Sequence, residues 1–355
     1  MASDRQLLLK KWQVIRPEET YTISDPLGQG AFGQVYKARH RFMGLQALKV
    51  FHADIFDDNQ KTDLFTEAYV LSKLTHPNVV RVFDANAFIE NKQQYVYIAM
   101  EYVKGPNLAG LCALEKLPFN VALKLSCDIL KGLREAHLQK PAIVHRDIKP
   151  QNILIEQHDK LYSAKVTDFG LARHVNPKTN CLNAAGTLPF MAPEGYWNYE
   201  TPASDVFSAG IVIYWLLTQS FPFEMTTKGE AKTEAELKKI LVDTRRKKPV
   251  EPSSLNSEIE HSLEGVMLKA LEFDIMDRFQ SANEFEIALT ECIANQSKAS
   301  KEKIEVMHLR RKYKIKYKTD MKIGMEVISW GVIKNLVIRK FGIGYVPDYC
   351  VREDL

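Results

Sequence analysis

The hydrophobic pattern of this chain changes from a mainly strand-like to a mainly helical period at Lys104-Gly105-Pro106. Before this point, the stretches YTISDPLGQGAFGQVYKARH, LQALKVF, VVRVFDANAF and QQYVYIAMEYV predict the five strands of a small antiparallel sheet. After it, FNVALKLSCDILKGLREAHLQK predicts a helix, and ASDVFSAGIVIYWLLTQ, apolar nearly all round, predicts a buried central helix. We therefore expect an α+β chain in which a sheet-rich first lobe and a helix-rich second lobe border a cleft, where ligands usually bind.

One helix is also predicted within the first lobe, between its third and fourth strands. Residues 61–74 place four apolar side chains on one helical face at 3.6-residue spacing, namely Leu64, Ala68, Leu71 and Leu74. The sequence His76-Pro77-Asn78 is expected to end this helix, because proline disfavours the helical conformation in the residue before it.

Composition limits the class of protein. With 45% hydrophobic and 26% charged residues, the 355-residue chain has the composition of a soluble globular protein with more than one core. Its five cysteines lie far apart without a C-x-x-C pair, which argues against a zinc ribbon or a disulfide framework and favours a reducing, cytoplasmic location. The leucine run near the start, Leu7–Leu9, is too short for a signal peptide core, and no stretch reaches about 18 uncharged apolar residues, so no transmembrane segment is expected.

The last part of the chain is basic. Residues 301–355 contain 13 Lys or Arg and 7 Asp or Glu and so carry a charge of +6, whereas the whole chain carries +4. The stretch HLRRKYKIKYKTD alternates with a period of two, which predicts a strand. We expect a linker over 294–303 and a basic, β-rich appendage over 304–355. This appendage could bind an acidic partner, nucleic acid or an anionic membrane, or its lysines could simply protect an edge strand from aggregation.

A glycine-rich stretch lies between the first two predicted strands. GQGAFGQV, with Gly28, Gly30, Gly33 and Val35, fits the pattern G-x-G-x-x-G-x-V. Val35 continues into a strand, whereas a dinucleotide-binding unit would continue into a helix. Glycines in such a hairpin can present backbone N–H groups to phosphates without obstruction by Cβ atoms, although the pattern alone is equally typical of a plain hairpin.

A lysine and a glutamate that could complete a phosphate site follow this hairpin. Lys49 lies in an apolar strand, where an unpaired charge is costly. Glu67, in the predicted helix, can pair with Lys49 and fix its ammonium group against phosphate oxygens. Taken alone, each is more often an ordinary surface charge.

Five motifs occur in a fixed order: GQGAFGQV, ALKVF, HRDIKPQN, DFG and APE. In order and spacing they resemble the eukaryotic-type (Hanks-type) serine/threonine protein kinase family over residues 21–292, most closely its compact bacterial members. The resemblance implies the bilobal protein kinase fold. A small antiparallel-sheet N-lobe with one key helix would occupy 21–103 and a large helical C-lobe 104–293, after an N-terminal extension over 1–20.

The resemblance also implies an activity. It is that of an ATP-dependent enzyme that uses Mg²⁺, or Mn²⁺, to transfer the γ-phosphate to serine or threonine hydroxyls of protein substrates and of itself. Two alternatives stay open: a catalytically silent kinase fold that acts as a scaffold, and a small-molecule phosphotransferase. A silent fold usually lacks the lysine, the base or a metal ligand, all of which are present here, and the KP and APE elements are foreign to small-molecule phosphotransferases.

Catalytic roles are carried over to matching positions of this sequence. Asp147 resembles the base that orients the acceptor hydroxyl and takes its proton, and Lys149 resembles the lysine that neutralises the transferring phosphoryl group and accompanies serine/threonine specificity. Asn152 and Asp168 resemble the metal ligands. These residue types suit the reaction, because Mg²⁺ prefers hard oxygen ligands and phosphoryl transfer depends mainly on positioning and charge neutralisation.

The nucleotide pocket is assigned in the same way. The three glycines Gly28, Gly30 and Gly33 would cover the phosphates. The positions that resemble the base-contacting residues are Leu27, Val35, Ala47 and Leu154. Met100 resembles the gatekeeper, and Asn107 resembles the residue that contacts the ribose. The hinge contacts would come from the backbone of Glu101 and Val103. Core packing is the alternative explanation for the apolar members of this set.

Regulatory residues are expected between the DFG and APE motifs. Thr179 is the expected site of autophosphorylation, and Arg146 resembles the arginine that pairs with such a phosphate; an exposed threonine in a mobile loop is the alternative. Thr187 resembles a threonine that contacts the catalytic Asp and Lys. Cys181 has no neighbouring cysteine or basic cluster, which argues against a redox switch.

Three further residues resemble structural positions of the family. Glu194 and Arg278 are expected to form an ion pair that anchors the activation segment to the second lobe. Asp205 is expected to hold the backbone of the catalytic loop from the central helix.

Overall fold

The computed structural model describes residues 8–11, 13–15, 20–30, 33–52, 56, 58–90, 92–159, 161–169, 188–197, 199–224 and 233–296. The chain divides into two compact units, 1–288 and 289–355. All helices and strands given below lie in the first unit, except that the last helix ends beyond residue 288. The predicted basic appendage and most of the predicted linker lie outside the described residues.

The first lobe is built on an antiparallel sheet of six strands in the order β1-β2-β3-β4-β6-β5. The strands are β1 (Val14–Ile15), β2 (Tyr21–Gln29), β3 (Gly33–His40), β4 (Gly44–Phe51), β5 (Val82–Glu90) and β6 (Gln93–Glu101). The five predicted strands are confirmed. The short strand β1 was not predicted, and it lies in the stretch expected to be an extension, pairing Val14 with Thr22.

Alternation along the strands divides the apolar side chains between the two faces of the sheet. In β4, Leu48 and Val50 join a cluster that includes Tyr21, Tyr36 and Tyr97. Ala47 and Phe51 join a different cluster on the opposite face, which also contains Leu64 of the helix, Ile98 and Met100. Lys49 shares the face of Ala47 and Phe51, so the strand period directs its ammonium group toward the helix and the cleft.

The first-lobe helix, α1, spans Asp58–Ser72 and packs on this second face. The helix starts and ends earlier than predicted, since the predicted helix spans 61–74. Its end is early because the N–H groups of Lys73 and Leu74 bond to the carbonyls of Val70 and Leu71, the tighter i to i+3 pattern, instead of continuing the α-helix. All four predicted core residues of this stretch are buried, including Leu74 beyond the helix end.

The second lobe is mainly helical. Its helices are α2 (Leu108–Leu114), α3 (Phe119–His137), α4 (Pro202–Thr218), α5 (Glu234–Arg246), α6 (Pro252–Leu255), α7 (His261–Ala270) and α8 (282–296). A two-stranded sheet, β7 (Ile153–His158) and β8 (Leu161–Val166), packs on α3 through β8. Helix α8 reaches residue 296, so the predicted linker over 294–303 begins within a helix.

Helix α4 is the predicted central helix, and all but a few of its residues are buried. Its start follows from the sequence Thr201-Pro202: the Thr201 N–H donates to Ser204 Oγ at 3.0 Å, and proline at the first helical position loses no hydrogen bond. Among the residues that the structure describes, no helix is long and apolar enough to cross a membrane.

Candidate active site

The glycine hairpin is closed by a pairing of Gln29 with Gln34 and by a hydrogen bond from Gly30 N to Gly33 O of 2.9 Å. Gly33 is required sterically, because a Cβ atom there would lie 2.2 Å from the carbonyl oxygen of Val50. By contrast, a Cβ on Gly28 would meet no described atom within 4 Å, so the described part of the chain leaves space beside this end of the hairpin. The phosphates of the nucleotide are predicted to lie in this space.

Lys49 lies in β4 with its Nζ 2.9 Å from Asp168 Oδ1. The lysine of the first lobe and the aspartate of the second lobe therefore meet across the cleft, with both side chains largely buried. Asp168 follows β8 and adopts a left-handed φ of 65°, a conformation uncommon outside glycine. Glu67 lies half-buried on α1, and its pairing with Lys49 stays a prediction.

The loop between Val144 and Ile153 gathers the remaining predicted catalytic residues. Lys149 Nζ lies 2.7 Å from Asp147 Oδ2. Asn152 Nδ2 donates to the same Oδ2 at 3.0 Å and to the Asp147 carbonyl at 2.8 Å. The carboxylate of Asp147 is thus held by a cation and an amide from its own loop.

The two predicted metal ligands are brought together by the β7–β8 sheet. Ile153 pairs with Val166, and the Thr167 N–H donates to the Asn152 carbonyl at 3.0 Å. This bond joins Asn152 to Thr167, the residue before Asp168, so the two predicted ligands lie at the same end of the β7–β8 sheet. A carboxylate and an amide oxygen at the same end of the sheet are the hard ligands that Mg²⁺ prefers. In the described part of the chain, no cluster of three or more His, Cys, Asp or Glu side chains accompanies them.

Asp205, near the start of α4, binds the backbone of the catalytic loop. Its carboxylate accepts from the backbone N–H of His145 at 2.6 Å and of Arg146 at 2.8 Å, and from His137 Nε2 at 3.0 Å. Burial alone would raise the pKa of Asp205, but the hydrogen bond and charge of His137, together with His145, hold that pKa below its usual value. The carboxylate is therefore ionised and fixes the backbone on the N-terminal side of Asp147.

His145 itself links this loop to the DFG motif. Its Nδ1 accepts from the Asp147 N–H at 3.2 Å and its Nε2 lies 2.8 Å from the Thr167 carbonyl, a pattern that assigns the proton to Nε2. Its ring also packs on Phe169, with centroids 4.6 Å apart. His145 thereby couples the position of Asp147 to that of Asp168.

The predicted adenine positions fall into two groups. Ala47, Met100 and Val103 are buried in one apolar cluster, and Val35 and Leu154 pack against it. Leu27 is not part of this cluster in the described structure and is 46% exposed. Asn107 caps helix α2 by accepting from the Gly110 N–H at 2.8 Å, a structural role in addition to the predicted contact with ribose.

Two ion pairs near the site were not predicted. Arg146 Nε lies 3.2 Å from Glu200 Oε2, where the sequence expected a phosphate partner. Lys165, on β8, lies with its Nζ 2.6 Å from Glu101 Oε1 and joins the hinge to the second lobe. Neither pair leaves a local signal, because its members are separated by dozens of residues and meet only through the tertiary fold.

The anchoring pair forms as the sequence expects: Arg278 donates to both carboxylate oxygens of Glu194, at 2.7 and 3.0 Å. Thr179, Cys181 and Thr187 lie outside the described residues. Cys112 and Cys127 are free thiols, and burial raises the pKa of each to about 11, so neither is a thiolate at neutral pH.

The sheet lobe, the helical lobe and the cleft residues between them define the protein kinase fold. The crystal structure of the Mycobacterium tuberculosis PknI kinase domain is similar, with a TM-score of 0.59 and 24% identity over 80% of this chain and 99% of that chain. The protein kinase domain family matches residues 21–289. The chain therefore belongs to the protein kinase family, among its eukaryotic-type serine/threonine members.

Its relatives include bacterial kinases. A probable serine/threonine-protein kinase of Clostridium perfringens is 34% identical, over 74% of this chain and 37% of the relative. The serine/threonine-protein kinase PrkC of Bacillus subtilis is 33% identical, over 75% of this chain and 39% of the relative. The chain thus matches about two fifths of the length of these curated relatives.

Proposed function

We propose that this chain is a serine/threonine protein kinase that transfers the γ-phosphate of ATP to hydroxyls of protein substrates. The observation that carries the proposal is the convergence of two charge pairs in one cleft, Lys49 with Asp168 and Lys149 with Asp147. A scaffold that had lost catalysis would have no need to keep both pairs with Asn152 between them.

Asp147 is the group that acts on the acceptor. Its carboxylate is oriented by Lys149 and Asn152, so it can accept a hydrogen bond from a serine or threonine hydroxyl and take its proton as the phosphoryl group departs. Lys149 also supplies positive charge where the transferring group gains negative charge. Asp205 and His145 hold this loop rigid, which reduces the cost of reaching the reactive geometry.

The nucleotide would lie between the lobes. Lys49 would hold its phosphates, the glycine hairpin would cover them, and the cluster of Val35, Ala47 and Leu154 would contact the base. Asp168 and Asn152 would hold Mg²⁺, or Mn²⁺ of similar ligand preference; when bound, the metal neutralises charge on the phosphates. Contact of Glu67 with Lys49 and of Asn107 with ribose belong to the same proposal.

Other parts of the proposal rest on the sequence. The kinase lobes would occupy 21–103 and 104–293, and autophosphorylation would occur at Thr179, with Thr187 shaping the acceptor pocket. Binding of an acidic partner or nucleic acid by the appendage over 304–355, and a cytoplasmic location, stay predictions. The relatives are named serine/threonine-protein kinases, which does not favour a small-molecule phosphotransferase, and the test below separates the two.

The test is transfer of label from γ-labelled ATP, with Mg²⁺, to a generic protein acceptor and to the chain itself, followed by phosphoamino acid analysis. We expect label on phosphoserine and phosphothreonine, and its loss in Lys49→Met. The matched control is Lys61→Met, a half-buried lysine of α1 whose Nζ donates to Gln94 Oε1 at 3.0 Å, and it should label normally. Label on tyrosine would contradict the acceptor class, and absence of protein label with folded chain that binds ATP would contradict the proposal as a whole.

A further inference from the structure

The segment that precedes the kinase match packs on the outer face of the first-lobe sheet. We call residues 8–11 and 13–15 the N-terminal segment. Leu9 and Ile15 are buried in the same apolar cluster as Tyr21, Tyr36 and Tyr97. The Ile23 N–H donates to the Gln13 carbonyl at 2.9 Å, and β1 extends the sheet beside β2. The segment is thus an integral part of the lobe.

Two side chains of β3 bind this segment. Gln34 and Tyr36 are 1% and 0% exposed, and the Tyr36 hydroxyl donates to Gln34 Oε1. The Leu8 N–H donates to Gln34 Oε1 at 2.9 Å, and the Leu9 N–H donates to Tyr36 Oη at 3.0 Å. Burial raises the pKa of Tyr36, so its hydroxyl stays protonated and able to donate. A buried glutamine and tyrosine would be costly without such partners.

These bonds lie at the start of β3, directly after the glycine hairpin. Gln34 follows Gly33 directly and pairs with Gln29 across the hairpin. Because side chains alternate along a strand, Val35 faces the cleft while Gln34 and Tyr36 face the N-terminal segment. On its other side, β3 is in tight contact with the backbone of Val50 at Gly33. The end of β3 that carries the hairpin is therefore held from both sides.

A second, weaker attachment reaches β2. Lys11 Nζ lies 2.8 Å from Asp25 Oδ1, but both side chains are more than half exposed, so water and salt screen this pair. The buried bonds to β3 are consequently the ones that decide where the segment sits.

We propose that the N-terminal segment positions the glycine hairpin for the phosphates of ATP by holding Gln34 and Tyr36. This inference rests on the proposed function for its ligand. Gln34 and Tyr36 are positioning residues, since neither faces the cleft. Releasing the segment leaves the hairpin to be ordered when nucleotide binds, and that cost appears in the affinity for ATP, not in the transfer step.

The test compares three variants of the full chain. Tyr36→Phe removes the hydroxyl that links Gln34 to Leu9, and Leu9→Ala loosens the segment without altering β3. The matched control is Tyr21→Phe, because Tyr21 is a buried tyrosine of the same cluster whose hydroxyl donates to another buried glutamine, Gln46, at 3.2 Å. The measurements are KM for ATP, kcat, and amide hydrogen exchange over 28–35 without nucleotide.

We expect Tyr36→Phe and Leu9→Ala to raise KM for ATP about fivefold, the factor that corresponds to roughly one hydrogen bond, with kcat unchanged. Exchange over 28–35 should be faster in both variants and unchanged in Tyr21→Phe. Unchanged exchange in both variants, or an equal change in Tyr21→Phe, overturns the inference whether or not the chain transfers phosphate. If exchange changes as expected but wild type transfers no phosphate, the segment still orders the hairpin and the proposed function alone fails.

Discussion

Replacing Glu194 with glutamine should cost about 3 kcal/mol of unfolding free energy. The Arg278 side chain is 0% exposed and donates to both oxygens of Glu194. Removing one partner of a buried ion pair costs about 3–5 kcal/mol, because the other charge stays buried without compensation. We expect the lower end, since Arg278 also donates to three backbone carbonyls, those of Ala203, Glu272 and Phe273, which persist in the variant.

The assay is urea unfolding of Glu194→Gln beside a matched control, Glu224→Gln. Glu224 pairs with Lys247 at 3.0 Å, but both side chains are well exposed, so this substitution should cost under about 1 kcal/mol. An unchanged m-value would show that the two variants differ in stability alone. If the two free-energy losses were equal, the reasoning from burial would be refuted.

Three further outcomes are expected. The pKa of Asp205 is held below its ordinary value, so its ionised form contributes stability that is complete above about pH 4 and is lost as the pH falls through the folded pKa. Asp205→Asn should remove this acid dependence, measured as unfolding free energy from a series of unfolding curves. An unchanged slope of unfolding free energy against pH would contradict it. Lys165→Met, which breaks the pair with Glu101, should raise KM for ATP about threefold in initial-rate kinetics and leave kcat unaltered, whereas a fall in kcat alone would argue against a role at the hinge. Glu200→Gln should lower kcat about three- to tenfold with KM for ATP unchanged. The reason is that Arg146 adopts a strained φ of 70° beside the base and loses its ion pair with Glu200 in the variant. Full activity would show that Asp205 alone is sufficient to hold the backbone of Arg146 in place.

The sequence predicted what depends on local pattern. Alternation and helical spacing identified the five main strands, the helix with Leu64 and Ala68, and the buried helix α4, because the period of each reflects the face that it buries. The cleft residues could be named because their motifs are compact, but their partners could be named only in part. Asp168 could be assigned to the metal, yet its 2.9 Å contact with Lys49 depends on how the lobes meet.

Three features could not be predicted from the sequence, for physical reasons. Strand β1 has two residues, too few to show a period, and it exists because β2 and β3 offer it an edge and an apolar face. The burial of Gln34 could likewise not be predicted, because Gln34 lies within the glycine motif and is a polar residue of the type usually exposed. Contacts such as Arg146 with Glu200 join polar residues that have no distinguishing spacing.

The central claim is that Asp147 accepts the proton of the acceptor hydroxyl in a cleft that already binds ATP. The most direct measurement is the initial rate of phosphate transfer at saturating ATP for wild type, Asp147→Asn and the control Asp159→Asn, which makes the same chemical change in the exposed turn after β7. We expect a loss of about 10²–10⁴-fold in kcat for Asp147→Asn, with nucleotide affinity retained, and no loss for Asp159→Asn. Equal rates for wild type and Asp147→Asn would contradict it.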